Sequence, residues 1–287
     1  MITKSRLLLS LPLALALASS SLGCSGTAST EPAVASPEAA TSRAPVAQST
    51  HGIVKTIGDA MADVPITASQ RASIESLASA AEARHTATRA ARHDLTLAIA
   101  AQVQAGSIDR AALQPKLDAL VAALKQAQPA DRAAFEQLHA LLTPDQRTAF
   151  VDAIAARIGE HVGKAKGMHG LHQWAADLNL SDAQRAQIKD ALHQAWQAKA
   201  AGHEGHEPWA EAKERGQKLM AAFKQDRFVM DEVAPAHDIA AKAQTMSDHL
   251  LGVAQIALPI LTPEQRTIAA QKLRDRAEAM DEESPLP

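Results

Sequence analysis

Apolar side chains recur along this chain every three or four positions, the spacing of a helix with one buried face. In the second half Ile239, Ala243, Met246, Leu250, Val253 and Ala257 step by 4-3-4-3-4. In the first half Leu113, Leu117, Leu120 and Leu124 do the same, and Phe135, Leu138 and Leu142 resume the face. The pattern predicts long amphipathic helices with a buried seam. Pro129 falls within the first of them and is expected to kink or break it, because it removes a backbone donor and crowds the preceding turn. The glycine-rich stretch 163–170 marks a boundary between two halves.

Four short phrases mark where helices begin: Ile66–Arg71 (ITASQR), Leu142–Arg147 (LTPDQR), Leu180–Arg185 (LSDAQR) and Leu261–Arg266 (LTPEQR). In the last, Thr262 is placed to cap free backbone N–H groups, and Pro263 falls at the first helical position, where a missing N–H costs nothing. Glu264 sits near the positive end of the helix dipole, and Gln265 can reach back to the N-cap N–H. Thr143 and Gln146 repeat the scheme. Thr67 with Gln70, and Ser181 with Gln184, keep the box without the proline. The eight residues are read as structural, with no catalytic role.

The spacing exposes a duplication. Gln70 and Gln146 are 76 residues apart, Gln184 and Gln265 are 81 apart, and a turn lies between each pair, Gly106–Asp109 in one and Asp226–Val229 in the other. The expected fold is all-α: two tandem modules of about four helices each, residues 51–160 and 178–287, joined by a linker at 161–177.

The ends change the picture further. Lys4 and Arg6 precede an apolar run from Leu7 to Ala18, too short to span a bilayer but suited to a signal peptide over residues 1–23. Leu22-Gly23-Cys24 resembles the lipobox of bacterial lipoproteins, which makes Cys24, the only cysteine, the expected lipid-attachment site. Residues 24–50, rich in Ser, Thr, Ala and Pro, read as a flexible tether. Ser25 in place of an aspartate points to the outer membrane.

Aromatic residues make up 2% of the chain and tyrosine is absent. Strand formers are scarce and helix formers abundant. Loss of residues 1–23 removes two cations (Lys4 and Arg6) and no acid, moving the formal charge from −3 to −5. That mild acidity argues against nucleic-acid binding.

Three segments, Leu178–Arg185, Ala222–Phe228 and Ile260–Arg266, resemble the Spy/CpxP family of periplasmic proteins, named for its LTxxQ motif. The resemblance is close over about residues 178–280 and looser over 64–160. It implies small helical cradles, usually built from two chains, that act as ATP-independent chaperones, envelope-stress regulators of a sensor kinase, or zinc-binding stress proteins. Here the two modules share one chain. The expected state is therefore a monomer in which they pack as an internal pseudo-dimer.

Candidate chemistry lies in two places. Between Glu82 and Asp94 there is no acid, while Arg84, His85, Arg89, Arg92 and His93 provide positive or titratable groups. Arg84, Arg89 and Arg92 are the candidate client contacts, with a solvated helix face as the competing reading. His203 and His206, in a stretch with Glu204 and Glu207, and the pair His169 and His172 are candidate zinc ligands. A polar loop with incidental histidines is the bland alternative. No phosphate loop, Gly-x-Ser-x-Gly elbow or free cysteine nucleophile supports an enzyme. The expected function is a membrane-tethered periplasmic protein that binds unfolded or stress-damaged envelope proteins, without a required cofactor. A zinc-binding stress protein or a sensor-kinase regulator is the alternative.

Overall fold

The computed structural model describes residues 46–48, 50–164, 176–200, 208–236 and 238–282. Cys24, His169, His172, His203 and His206 lie outside the described residues, as do the signal peptide and most of the expected tether and linker. The fold is all-α. The helices are α1 (Gly52–Ala60), α2 (Ala68–Ala105), α3 (Arg110–Leu141), α4 (Pro144–Lys164), α5 (Asp182–Ala200), α6 (Pro208–Phe223), α7 (Met230–Val233), α8 (Ile239–Ala257) and α9 (Pro263–Glu282). Helix α2 is the long central element, packed along both α3 and α9.

Two apolar cores hold these helices. One gathers Ile66 just before α2, Ile74 and Ala78 from its start, Leu138 and the cap residue Leu142 at the end of α3, and Phe150, Val151 and Ile154 from α4. Into it come Phe223 and Phe228 from the α6–α7 turn of the other half. With Phe135, all four phenylalanines of the chain therefore meet here, ring centres 4.8 to 5.7 Å apart. The second core takes Leu178, Leu180, Leu258, Leu261, Ala269 and Ala270 from the second half and Val103 from the end of α2. Val103 with Ile108 thus occupies the place in one core that Phe223 with Phe228 occupies in the other. Each half sends its turn into the core of its counterpart.

The packed chain begins earlier than composition suggested. Val46, Ala47 and Thr50, assigned to the tether, are buried. Glu75 accepts the Ala47 N–H at 3.0 Å, and Glu82 accepts the His51 N–H at 3.0 Å. Gly58 makes the close approach workable, since a Cβ there would overlap the Val46 carbonyl.

Pro129 does not break α3. The helix runs unbroken through both Pro115 and Pro129. Each proline deletes one backbone bond, and both rings face solvent, while Leu113, Leu117, Ala127 and Leu138 are buried on the opposite face. That burial outweighs the local penalty of ~3 kcal/mol per proline. The break falls in the second half instead. Pro235 follows Met230 by five residues, as Pro115 follows Arg110, but α7 ends at Val233 and α8 starts afresh at Ile239. Ala234, just before the proline, has left the helical region (φ −138°, ψ 80°), and α7 buries no side chain that could hold it helical.

Candidate functional site

The repeated phrases come together in pairs. All four capping boxes are complete: the N-cap N–H groups of Thr67, Thr143, Ser181 and Thr262 donate to the glutamine three residues on at 2.9 to 3.0 Å, and the hydroxyls accept in return at 3.2 to 3.3 Å. Each glutamine then uses its remaining capacity on a partner. Gln70 and Gln146 donate their amides to one another at 2.8 and 3.0 Å; the second donor of Gln70 goes to the Leu141 carbonyl and that of Gln146 to the Pro65 carbonyl. Gln184 and Gln265 repeat this at 2.8 and 3.1 Å, with Ile260 and Asn179 as the carbonyl acceptors. Every donor and acceptor position of the four amides is used, which a glutamate could not achieve because it lacks donors. The signal in sequence was the choice of Gln in all four boxes, where Glu would serve the cap equally well.

The arginines that follow Gln146 and Gln265 reach into the opposite half. Buried Arg147 donates to the Gln225 carbonyl and to Asp226 (3.1 Å), and its guanidinium touches His139, whose ring stacks on Phe228. Arg266 lies against Gly106, the left-handed residue (φ 83°) that ends α2. Glu136 adds to this docking by accepting the Met230 N–H at 2.7 Å, and Arg132 pairs with Asp231 at 2.6 Å.

The expected bare basic strip on α2 is largely neutralised. Asp131 of α3 accepts from Arg84 at 3.0 Å and contacts His85 Nε2 at 2.9 Å. Burial alone would raise the Asp131 carboxyl, but His85 and Arg84 more than offset this and hold it below the usual aspartate range. Arg89 pairs with Glu82 at 2.7 Å, and the same carboxylate holds His51. Arg92 differs: burial first, and the nearby Arg276 second, lower its guanidinium from the ordinary arginine value. Asp131 is 46 residues from His85 in sequence, so no local pattern names it as the partner.

The second-half seam is also corrected. On α8 only Leu251 is buried, while Met246 is 51% and Leu250 is 59% exposed. Arg110 of α3 binds Asp248 and Gln255, and Gln114 meets Gln244. Those α8 residues step by 4-3-4 with Leu251. At about 100° per residue, the row Ile239, Met246, Leu250, Val253 lies on the opposite side of the helix. The seam faces away from α3. The first-half stripe behaves as expected, with Leu113 and Leu117 buried and Leu120 and Leu124 half-buried.

Among the described residues no group of three or more His, Cys, Asp or Glu could hold a metal ion, and no helix is long and apolar enough to cross a membrane. Shallow depressions between the 47–51 segment and α2 are lined by Glu75, Glu82, Arg89 and His93.

No curated protein and no solved structure matches the chain significantly. The family model of the LTXXQ motif family protein matches residues 53–153. That is the half whose resemblance to the family is the looser of the two. The model spans α1, the complete boxes at Thr67 and Thr143, and the pairing of Gln70 with Gln146. Through residues 53–153, then, the chain matches the LTXXQ motif family.

Proposed function

We propose that the protein is an ATP-independent, chaperone-like member of its family that binds unfolded or stress-damaged envelope polypeptides, with Cys24 lipidated and the folded part held on the periplasmic side of the outer membrane. The observation that carries this reading is the exposed row on α8. Met246 and Leu250 are the two most exposed large apolar side chains among the described residues. They sit on a helix whose other side is fixed by Arg110. Ile239, Ala243, Val253 and Ala257 of the row are half-buried, and the exposed apolar pair Met246 and Leu250 one turn apart among them marks a surface that meets other chains. Unbranched methionine suits partners of varied shape, because its flexible thioether adapts to irregular contacts.

A client offers apolar segments to this row and acidic groups to Arg92 and Arg276, two guanidinium groups close enough to repel one another. Binding of this kind needs neither a catalytic group nor a metal, so the proposal is of a non-enzyme. The protein acts as a monomer in this reading, its two halves already locked by the reciprocal docking of Arg147 and Arg266.

The test is suppression of aggregation of several unrelated denatured proteins, with and without zinc. Broad suppression independent of zinc supports the proposal. Activity on one partner alone favours a dedicated regulator, and strict zinc dependence favours a metal-binding stress protein acting through His169, His172, His203 and His206.

A further inference from the structure

Methionine serves an apolar surface well until it is oxidised. Sulfoxide formation turns a flexible apolar side chain into a polar, chiral one. Four methionines have described burial: Met61 is fully buried, Met220 and Met230 are half-buried, and Met246 is exposed. Met246 is therefore the most exposed of these four. It also sits within the exposed row, four residues before Leu250 and three after Ala243, so the three share one helix face.

We propose that Met246 is an oxidant-sensitive modification site whose conversion to the sulfoxide switches off polypeptide binding by the α8 surface. The inference rests on the function proposed above. The oxidant is a two-electron peroxide. The thioether sulfur attacks one peroxide oxygen, the O–O bond breaks, that oxygen stays on sulfur, and the other leaves as water. Sulfur is oxidised by two electrons and the peroxide is reduced. Thiol-dependent sulfoxide reduction reverses the change.

The position makes this a switch and not simple damage. Met246 is 51% exposed, on the side of α8 away from Arg110, so an oxygen on its sulfur has solvent to face. Helix α8 keeps Gln244, Asp248 and Gln255 on α3. Oxidation of Met61, with no exposed surface, would instead disrupt the first core. Mild oxidant should therefore alter the surface first and the fold only later.

The experiment treats the full chain with hydrogen peroxide and follows three readouts: peptide mass mapping of each methionine, helicity, and affinity for a reduced, permanently unfolded model protein. Met246 should oxidise well before Met61, helicity should hold, and affinity should fall about tenfold, as expected when one methionine's apolar contact is withdrawn. Met246→Leu should keep its affinity after peroxide, and Met246→Gln should bind weakly without it. Leu250→Gln separates the two claims. If it does not weaken binding, the α8 surface is not the binding site and the functional reading falls with the switch. If it does weaken binding, yet wild type and Met246→Leu lose affinity equally after peroxide, only the switch is overturned. Oxidation of Met246 no faster than Met61 also overturns it.

Discussion

Gln70 and Gln146 stand 76 residues apart in the chain and donate their side-chain amides to each other at 2.8 and 3.0 Å, while each also completes the cap of its own helix. One residue type thus starts two helices and fastens them together. Gln146→Glu keeps the oxygen that the cap needs and removes both donors. With the position 8% exposed, the loss should be roughly 1–3 kcal/mol in urea unfolding. Combined with Gln70→Ala, the loss should be less than the sum of the two single changes, since both break the same bond. Strict additivity would show that the amide pair contributes nothing.

Gly106 should tolerate no side chain. Its φ of 83° strains any L-residue, and a Cβ there would come within 2.6 Å of Arg266 Nη1. Gly106→Ala should lower stability by at least ~1 kcal/mol. Adding Arg266→Ala should recover the steric share and leave the backbone share. Full tolerance of the alanine in thermal unfolding would remove Arg266 from the docking described above.

Restoring a donor at Pro129 should help. The ring is exposed and α3 is helical on both sides of it, so Pro129→Ala should add roughly 2 kcal/mol once the greater freedom of the unfolded chain is counted. A lower urea midpoint would mean that the proline shapes α3 for its packing on α2.

Asp131 predicts an acid dependence. Its folded-state value lies below the ordinary one, so the contact contributes stability above the aspartate value of the unfolded chain, about 4, and loses it as pH falls through the lower folded value. Asp131→Asn should therefore be less stable than wild type at neutral pH, with the gap closing below about pH 4. A gap that stayed constant from pH 7 to pH 3 would show that the charge of Asp131 is not what holds Arg84 and His85.

What the sequence revealed and what it hid divide along a physical line. The boxes at Thr67, Thr143, Ser181 and Thr262 are local, a hydroxyl and an amide three residues apart, so their chemistry could be read directly. The pairing of Gln70 with Gln146, and of Asp131 with Arg84, joins residues distant in the chain, and nothing in the local pattern names the partner. Periodicity identified the α8 row correctly as apolar, but a period says which residues share a face and not whether anything covers it. Pro129 failed as a helix breaker because the buried side chains around it outweigh one lost bond. Pro235, without such neighbours, succeeded.

The central claim is that polypeptides dock on the exposed row of α8. Site-specific photo-crosslinking tests it most directly, with a benzophenone side chain placed at Met246, at Leu250, or at Asp118, an exposed position on α3. In the presence of a denatured model protein, the account predicts strong adducts from Met246 and Leu250 and weak ones from Asp118. Equal labelling from all three positions, or adducts from Asp118 alone, would contradict it.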